Sequence, residues 1–237
     1  MSEFLHVSLR SRDRDRTSEW YQKNVGFEEQ RRGTTGIGTQ TAVLVLPGNN
    51  TYIEVSDRVK LGRDFDIPDR AIVLQFTVGD LGQALQRAQA NGATVLAGSP
   101  AEGYLVLQDA DGYEVELLPG PPGRFSAFSV RSSEPEKSAR FYTDNFGFVE
   151  VARERSPRGE ETIVLELPGN NTRLTLRRSP QPIAIPENLM HIALPVADMS
   201  RFREEMAGKG VDVDPDGDRM SWVLDPDGYE LEMIERR

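Results

Sequence analysis

The chain of 237 residues contains no cysteine and only two histidines. The first absence excludes disulfides, thiolate metal sites and a cysteine nucleophile. The second makes each imidazole conspicuous, because any chemistry that needs one must use His6 or His191. No apolar run approaches the ~20 residues of a membrane-crossing helix, so no membrane partner is expected. The opening MSEFLHVSLRSRDRDR has no apolar segment ahead of its charges, and a cytoplasmic location is the expectation. Basic residues are in the minority, with 28 Lys and Arg against 38 Asp and Glu, a net charge of −10. A surface of that sign repels a phosphate backbone, which excludes nucleic acid and leaves a small molecule as the expected partner. The chain itself is expected as a monomer or a homodimer.

What is present is repeated. TAVLVLPGNNTYIEV (41–55) returns as TIVLELPGNNTRLTL (162–176), 121 positions later. The same offset aligns EWYQKNVGF (19–27) with RFYTDNFGF (140–148). DADGYEVELL (109–118) returns as DPDGYELEMI (225–234), 116 positions on. The chain is therefore a tandem duplication. It divides into domains at 1–120 and 121–237, which meet near the Pro- and Gly-rich LLPGPPGRF (117–125).

Each half divides again. Residues 5–11 alternate as a strand, 14–24 read as a helix closed by Gly26, and strands follow near 41–46 and 51–56. From Ala71 the order recurs: strand AIVLQFTV, helix DLGQALQRAQANG, strand YLVLQD, a turn at DADG, strand YEVELL. Asp80 and Asp198 are expected helix N-caps, with Gly92 and Gly210 as stops. The fold class expected is α+β, built of four β-α-β-β-β modules at about 1–60, 68–119, 123–180 and 186–237. They would form two pairs of curved sheets, each bearing a cleft.

Four such modules, an aromatic-Tyr pair ahead of a Gly, and DPDGYELEMIE near the end resemble the vicinal oxygen chelate superfamily. It includes glyoxalase I, extradiol dioxygenases, methylmalonyl-CoA epimerase and the fosfomycin and bleomycin resistance proteins. The resemblance implies a metal held by one ligand on the first strand and one on the last strand of each of two paired modules. Those positions are His6 and Glu54 in module one, Val73 and Glu116 in module two, Ala127 and Thr175 in module three, and His191 and Glu232 in module four. Pairing neighbours leaves two incomplete sets. Pairing module one with four, and two with three, yields one complete set, His6, Glu54, His191 and Glu232, and one nearly stripped. The outer pairing is therefore expected.

Two imidazoles and two carboxylates suit a divalent Ni, Zn, Co, Mn or Fe ion. The resemblance then implies a glyoxalase-I-like lyase or isomerase acting on a small α-hydroxycarbonyl or hemithioacetal. The ion would polarise a carbonyl and stabilise an enediolate, while Glu232 or Glu54 moves the proton. Arg10, four residues after His6, matches a carboxylate-binding Arg of glyoxalase I, and Trp222 approaches Glu232 as a pocket residue. Where that family has an Asn four residues after the first Glu, this chain has Arg58, and the 210–225 segment is short for a glutathione-covering loop. The alternatives are a non-catalytic binding protein of the bleomycin-resistance type and an Fe(II) extradiol dioxygenase. The dioxygenases carry an additional histidine, for which this chain has no candidate. The calcium-loop look of DVDPDGD (212–218) is discarded, because the twelfth position is Val223 rather than a bidentate Glu.

Overall fold

A computed structural model of the chain describes residues 6–35, 38–57 and 64–236. The four modules each run strand, helix, three strands. The first holds β1 (His6–Ser11), α1 (Arg14–Asn24), β2 (Glu28–Thr34), β3 (Gln40–Val45) and β4 (Tyr52–Asp57). The second holds β5 (Ile72–Val78), α2 (Leu81–Ala90), β6 (Thr94–Ser99), β7 (Tyr104–Gln108) and β8 (Glu114–Pro119). The third holds β9 (Arg124–Ser132), α3 (Pro135–Phe146), β10 (Val149–Arg155), β11 (Glu161–Glu166) and β12 (Arg173–Arg178). The fourth holds β13 (Met190–Val196), α4 (Met199–Gly208), β14 (Asp214–Asp216), β15 (Met220–Leu224) and β16 (Glu230–Glu235).

The helix boundaries follow from capping chemistry. Asp80 accepts the Gln83 N–H and Asp198 the Arg201 N–H, so each satisfies an otherwise orphaned donor. Gly92 and Gly210 follow their helices at φ 69° and 72°, a left-handed backbone that a side chain would disfavour. Along the strands that meet at the centre of each sheet, apolar and polar residues alternate with period two, and in β1 both sets are buried. Val7, Leu9, Ile53, Val55, Ile192, Leu194, Leu231 and Met233 enter one apolar core with the inner faces of the helices. Each such side chain, fully buried, stabilises the fold by roughly 1.5–3 kcal/mol. The alternate residues face away from the helices, and it is there that the chain's polar chemistry collects.

The modules pair across the sequence. One eight-stranded sheet runs β14-β15-β16-β13-β1-β4-β3-β2 and joins module four to module one; the other runs β10-β11-β12-β9-β5-β8-β7-β6 and joins three to two. The outer seam is the antiparallel pair β1–β13, with Ser8 opposite His191 and His6 opposite Ala193. Two crossed ties hold the sheets together. Tyr113, from the second sheet, places its hydroxyl 3.0 Å from the Arg10 carbonyl and 2.9 Å from the Leu189 carbonyl of the first. Tyr229 does the reverse, donating to the Ala71 carbonyl (2.8 Å) and accepting the Arg131 N–H (3.2 Å). The repeated PGNN segments clasp one another. Asn50 accepts from the Asn171 N–H, Asn171 accepts from the Asn50 N–H, and each side-chain amide donates to the other's loop carbonyl. Among the described residues, no helix is long and apolar enough to cross a membrane.

Candidate metal centre

The outer seam brings the two histidines together from opposite ends of the chain. His6 Nε2 and His191 Nε2 lie 3.3 Å apart. Glu232 Oε2 lies 3.5 Å from the first and 3.3 Å from the second. Strand register explains the meeting: Ala193 sits between His6 on one side and Glu232 on the other, while His191 is the next residue of β13 on that face. Both imidazoles are buried, at 6% and 3% exposure.

Three donor atoms facing one another at this range are a poor arrangement unless something positive sits among them. Two Nε2 atoms can share at most the protons of their own rings, and bare lone pairs repel. Ligand atoms about 2.0–2.1 Å from one small divalent ion stand at about this mutual distance, so the triad fits a cation. His6, His191 and Glu232 form the group among the described residues able to hold one. The carboxylate is tuned accordingly. Burial pushes Glu232 up, but hydrogen bonds from His191 and His6, and their charge, hold it well below the usual carboxylate range.

Glu54, the fourth expected ligand, shares this face but not the cluster. It pairs across β1 with Ser8, one row from His6, and its Oε1 accepts from Ser56 (3.0 Å) and Ser8 (3.4 Å). Its Oε2 makes no hydrogen bond among the described residues. Arg10 is buried rather than solvated, and its guanidinium lies 4.7 Å from the centre of the Phe65 ring. Trp222 meets His191 edge-on, ring centres 5.2 Å apart, and is paired across the sheet with Glu232. Arg58 lies outside the described residues.

Three neighbours escaped the reading of the sequence. Tyr52 stacks on His6 at 4.9 Å, and burial and the Glu54 charge push its phenol up. Ser8 and Ser56 hold Glu54. The signal for all three was parity, since each lies two residues from a named ligand on the same strand. The second sheet answers differently at the matching positions. Glu116 is wholly buried and accepts from Arg177 (2.7 Å) and Gln75 (2.5 Å), while Ser129 and Thr175 bond to each other.

Fold and site together define a paired-module protein with one candidate histidine-carboxylate cation site among the described residues, on its outer seam. The chain belongs to the Glyoxalase/Bleomycin resistance protein/Dioxygenase superfamily, whose family model matches residues 3–117 and 124–233. Glyoxalase I from Zea mays is similar in structure at TM-score 0.82 and 19% identity, covering 99% of this chain and 92% of that one. A point mutant of the same maize enzyme is similar at 0.80 and 18%, covering 99% and 94%. A candidate dioxygenase from Bacillus subtilis is similar at 0.71 and 14%, covering 98% and 84%. No curated protein matches the chain in sequence.

Proposed function

We propose that this chain is a metal-dependent enzyme of the glyoxalase-I type, moving a proton between adjacent carbons of a small α-hydroxycarbonyl or hemithioacetal. The convergence of His6, His191 and Glu232 on one point is the observation that carries this reading. A divalent ion held there supplies Lewis acidity toward a substrate oxygen. Ni, Zn, Co, Mn and Fe all accept this donor set. The remaining work falls to the chain. Glu54 is the proton-moving group: its Oε1 is fixed by two serine hydroxyls, which leaves Oε2 to take a proton from one carbon and return it to the next. Tyr52, neutral beside it, donates to a substrate oxygen. Near-complete burial of the imidazoles keeps water from competing.

Two imidazoles and one carboxylate are also the donor set of Fe(II) oxygenases. With both histidines engaged at the cluster, no imidazole is left for proton transfer to a catechol. The test is to load the protein with Ni or Zn and follow deuterium exchange from solvent into hydroxyacetone. The methylglyoxal–glutathione adduct is assayed in parallel. Exchange that Glu54→Gln abolishes without loss of the ion supports the proposal. A protein that binds no ion would be a sequestering relative, and oxygen uptake with catechol would mark a dioxygenase.

A further inference from the structure

A recess of about 760 Å³ lies beside the triad on the module-four side. Trp222 forms the wall between the two, since its ring meets His191 and also lines the recess. Glu230 and Leu224 continue the same row of the sheet, since Glu230 pairs with His191 and Leu224 with Glu230. Glu187, Asp212 and Asp214 close the far side.

Three features of this recess point to one kind of ligand. First, its lining has four carboxylates and, among the described residues, no lysine or arginine. None of the four is paired with a cationic side chain of the described residues, whereas elsewhere in the molecule carboxylates commonly are. Secondly, Glu230 uses one oxygen to accept the Asn188 N–H, and its other oxygen, Oε2, is buried without any hydrogen-bond partner. A buried, orphaned carboxylate oxygen is a costly arrangement that a donor from a ligand would relieve. Thirdly, the aromatic surface available beside these charges is an indole, the strongest cation–π acceptor among side chains.

Resting on the function proposed above, we infer that the substrate carries a cationic group, an ammonium or guanidinium, which seats between Trp222 and Glu230 while the carbonyl end lies at the triad. Anionic carriers such as glutathione or a CoA ester are repelled from this recess by the same charges. Trp222 and Glu230 are thus specificity-determining residues, and Asp212 and Asp214 supply the field around them.

Agmatine, which has both a guanidinium and an amine, and tetramethylammonium are suitable probes, with glutathione as the anionic control. In a Trp20→Phe background the emission of Trp222 alone reports binding. Both cations are expected to quench it saturably. Glu230→Gln combined with Asp214→Asn is expected to weaken agmatine at least about tenfold, the loss of roughly two exposed charge contacts. Added salt weakens it in parallel. Glutathione is expected to bind more weakly than either cation. The binding is read without turnover and should survive removal of the metal by a chelator. If cations bind but no proton exchange occurs with any substrate, the reaction falls and this inference stands. If glutathione binds better than the cations, or the double substitution leaves agmatine unchanged, the inference is overturned while the reaction can still hold.

Discussion

The two sheets are built on one plan and treat the same positions in opposite ways. In the first, β1, β13 and β16 supply His6, His191 and Glu232, a group that could hold a metal ion. In the second, the matching first-strand positions are Ala127 and Val73, and the retained carboxylate, Glu116, is met by Arg177 of the chain itself. Arg177 lies 121 positions after Ser56, the residue that holds Glu54 in the first sheet. With both imidazole positions apolar and Thr175 in place of a carboxylate, an Arg where the first sheet has Ser56 fills the second cleft with a built-in cation, and at that position the first cleft has none. The lesson is that a buried carboxylate on this face demands a partner, and the duplicated chain provides it by two different routes.

The largest effect expected is a crossed one. Glu232→Gln should weaken Ni or Zn binding by more than about 100-fold with little change in unfolding free energy, since it removes a direct ligand. Glu116→Gln should leave metal binding unchanged and act on stability alone; calorimetric titration and urea unfolding of both variants separate the two. Arg177→Met strands Glu116 in the interior and should cost about 3–5 kcal/mol, whereas adding Glu116→Gln to it should restore most of the loss. Chemical denaturation of the single and double variants checks this, and a double variant no better than the single would dissolve the comparison.

A smaller pair concerns the ties between the sheets. Tyr113→Phe and Tyr229→Phe each remove a buried hydroxyl bond at equivalent places, and each should cost about 1–2 kcal/mol by the same denaturation measurement. A large inequality would mean that the two sheets do not depend on each other evenly. The smallest effect is one of pH. Burial, with Asp111 beside it, raises Asp109 to about 7, and burial raises Asp225 to about 6. Their folded values exceed the unfolded one, so the native state holds the proton more tightly and stability falls as pH rises through this range. Going from pH 6 to pH 8 should cost about 1 kcal/mol through Asp109, and Asp109→Asn should remove that slope in urea midpoints.

The outer pairing of modules was legible because only modules one and four retain histidine, and a single site selects for its own ligands. Helix limits were legible from Asp80, Asp198, Gly92 and Gly210, where capping is a local matter. The edge strands β2 (EEQRRGT) and β10 (VEVARER) were implied by the β-α-β-β-β pattern but not located, because both lie largely exposed and show no clean alternation. Glu54 was expected as a ligand, but that Ser8 and Ser56 hold it was not legible, since a rotamer choice leaves no trace in sequence. Arg177 and Glu230 could have been found by parity, two residues from Thr175 and Glu232. Their partners, however, come from strands brought together only by the fold.

The number of divalent ions bound per chain tests the central claim most directly. Calorimetric titration of the chelator-treated protein with Ni or Zn should give one ion per chain, abolished by either His6→Ala or His191→Ala and untouched by Arg177→Met. Two ions per chain, or one that survives the loss of either histidine, would contradict a single centre made by the two ends of the polypeptide.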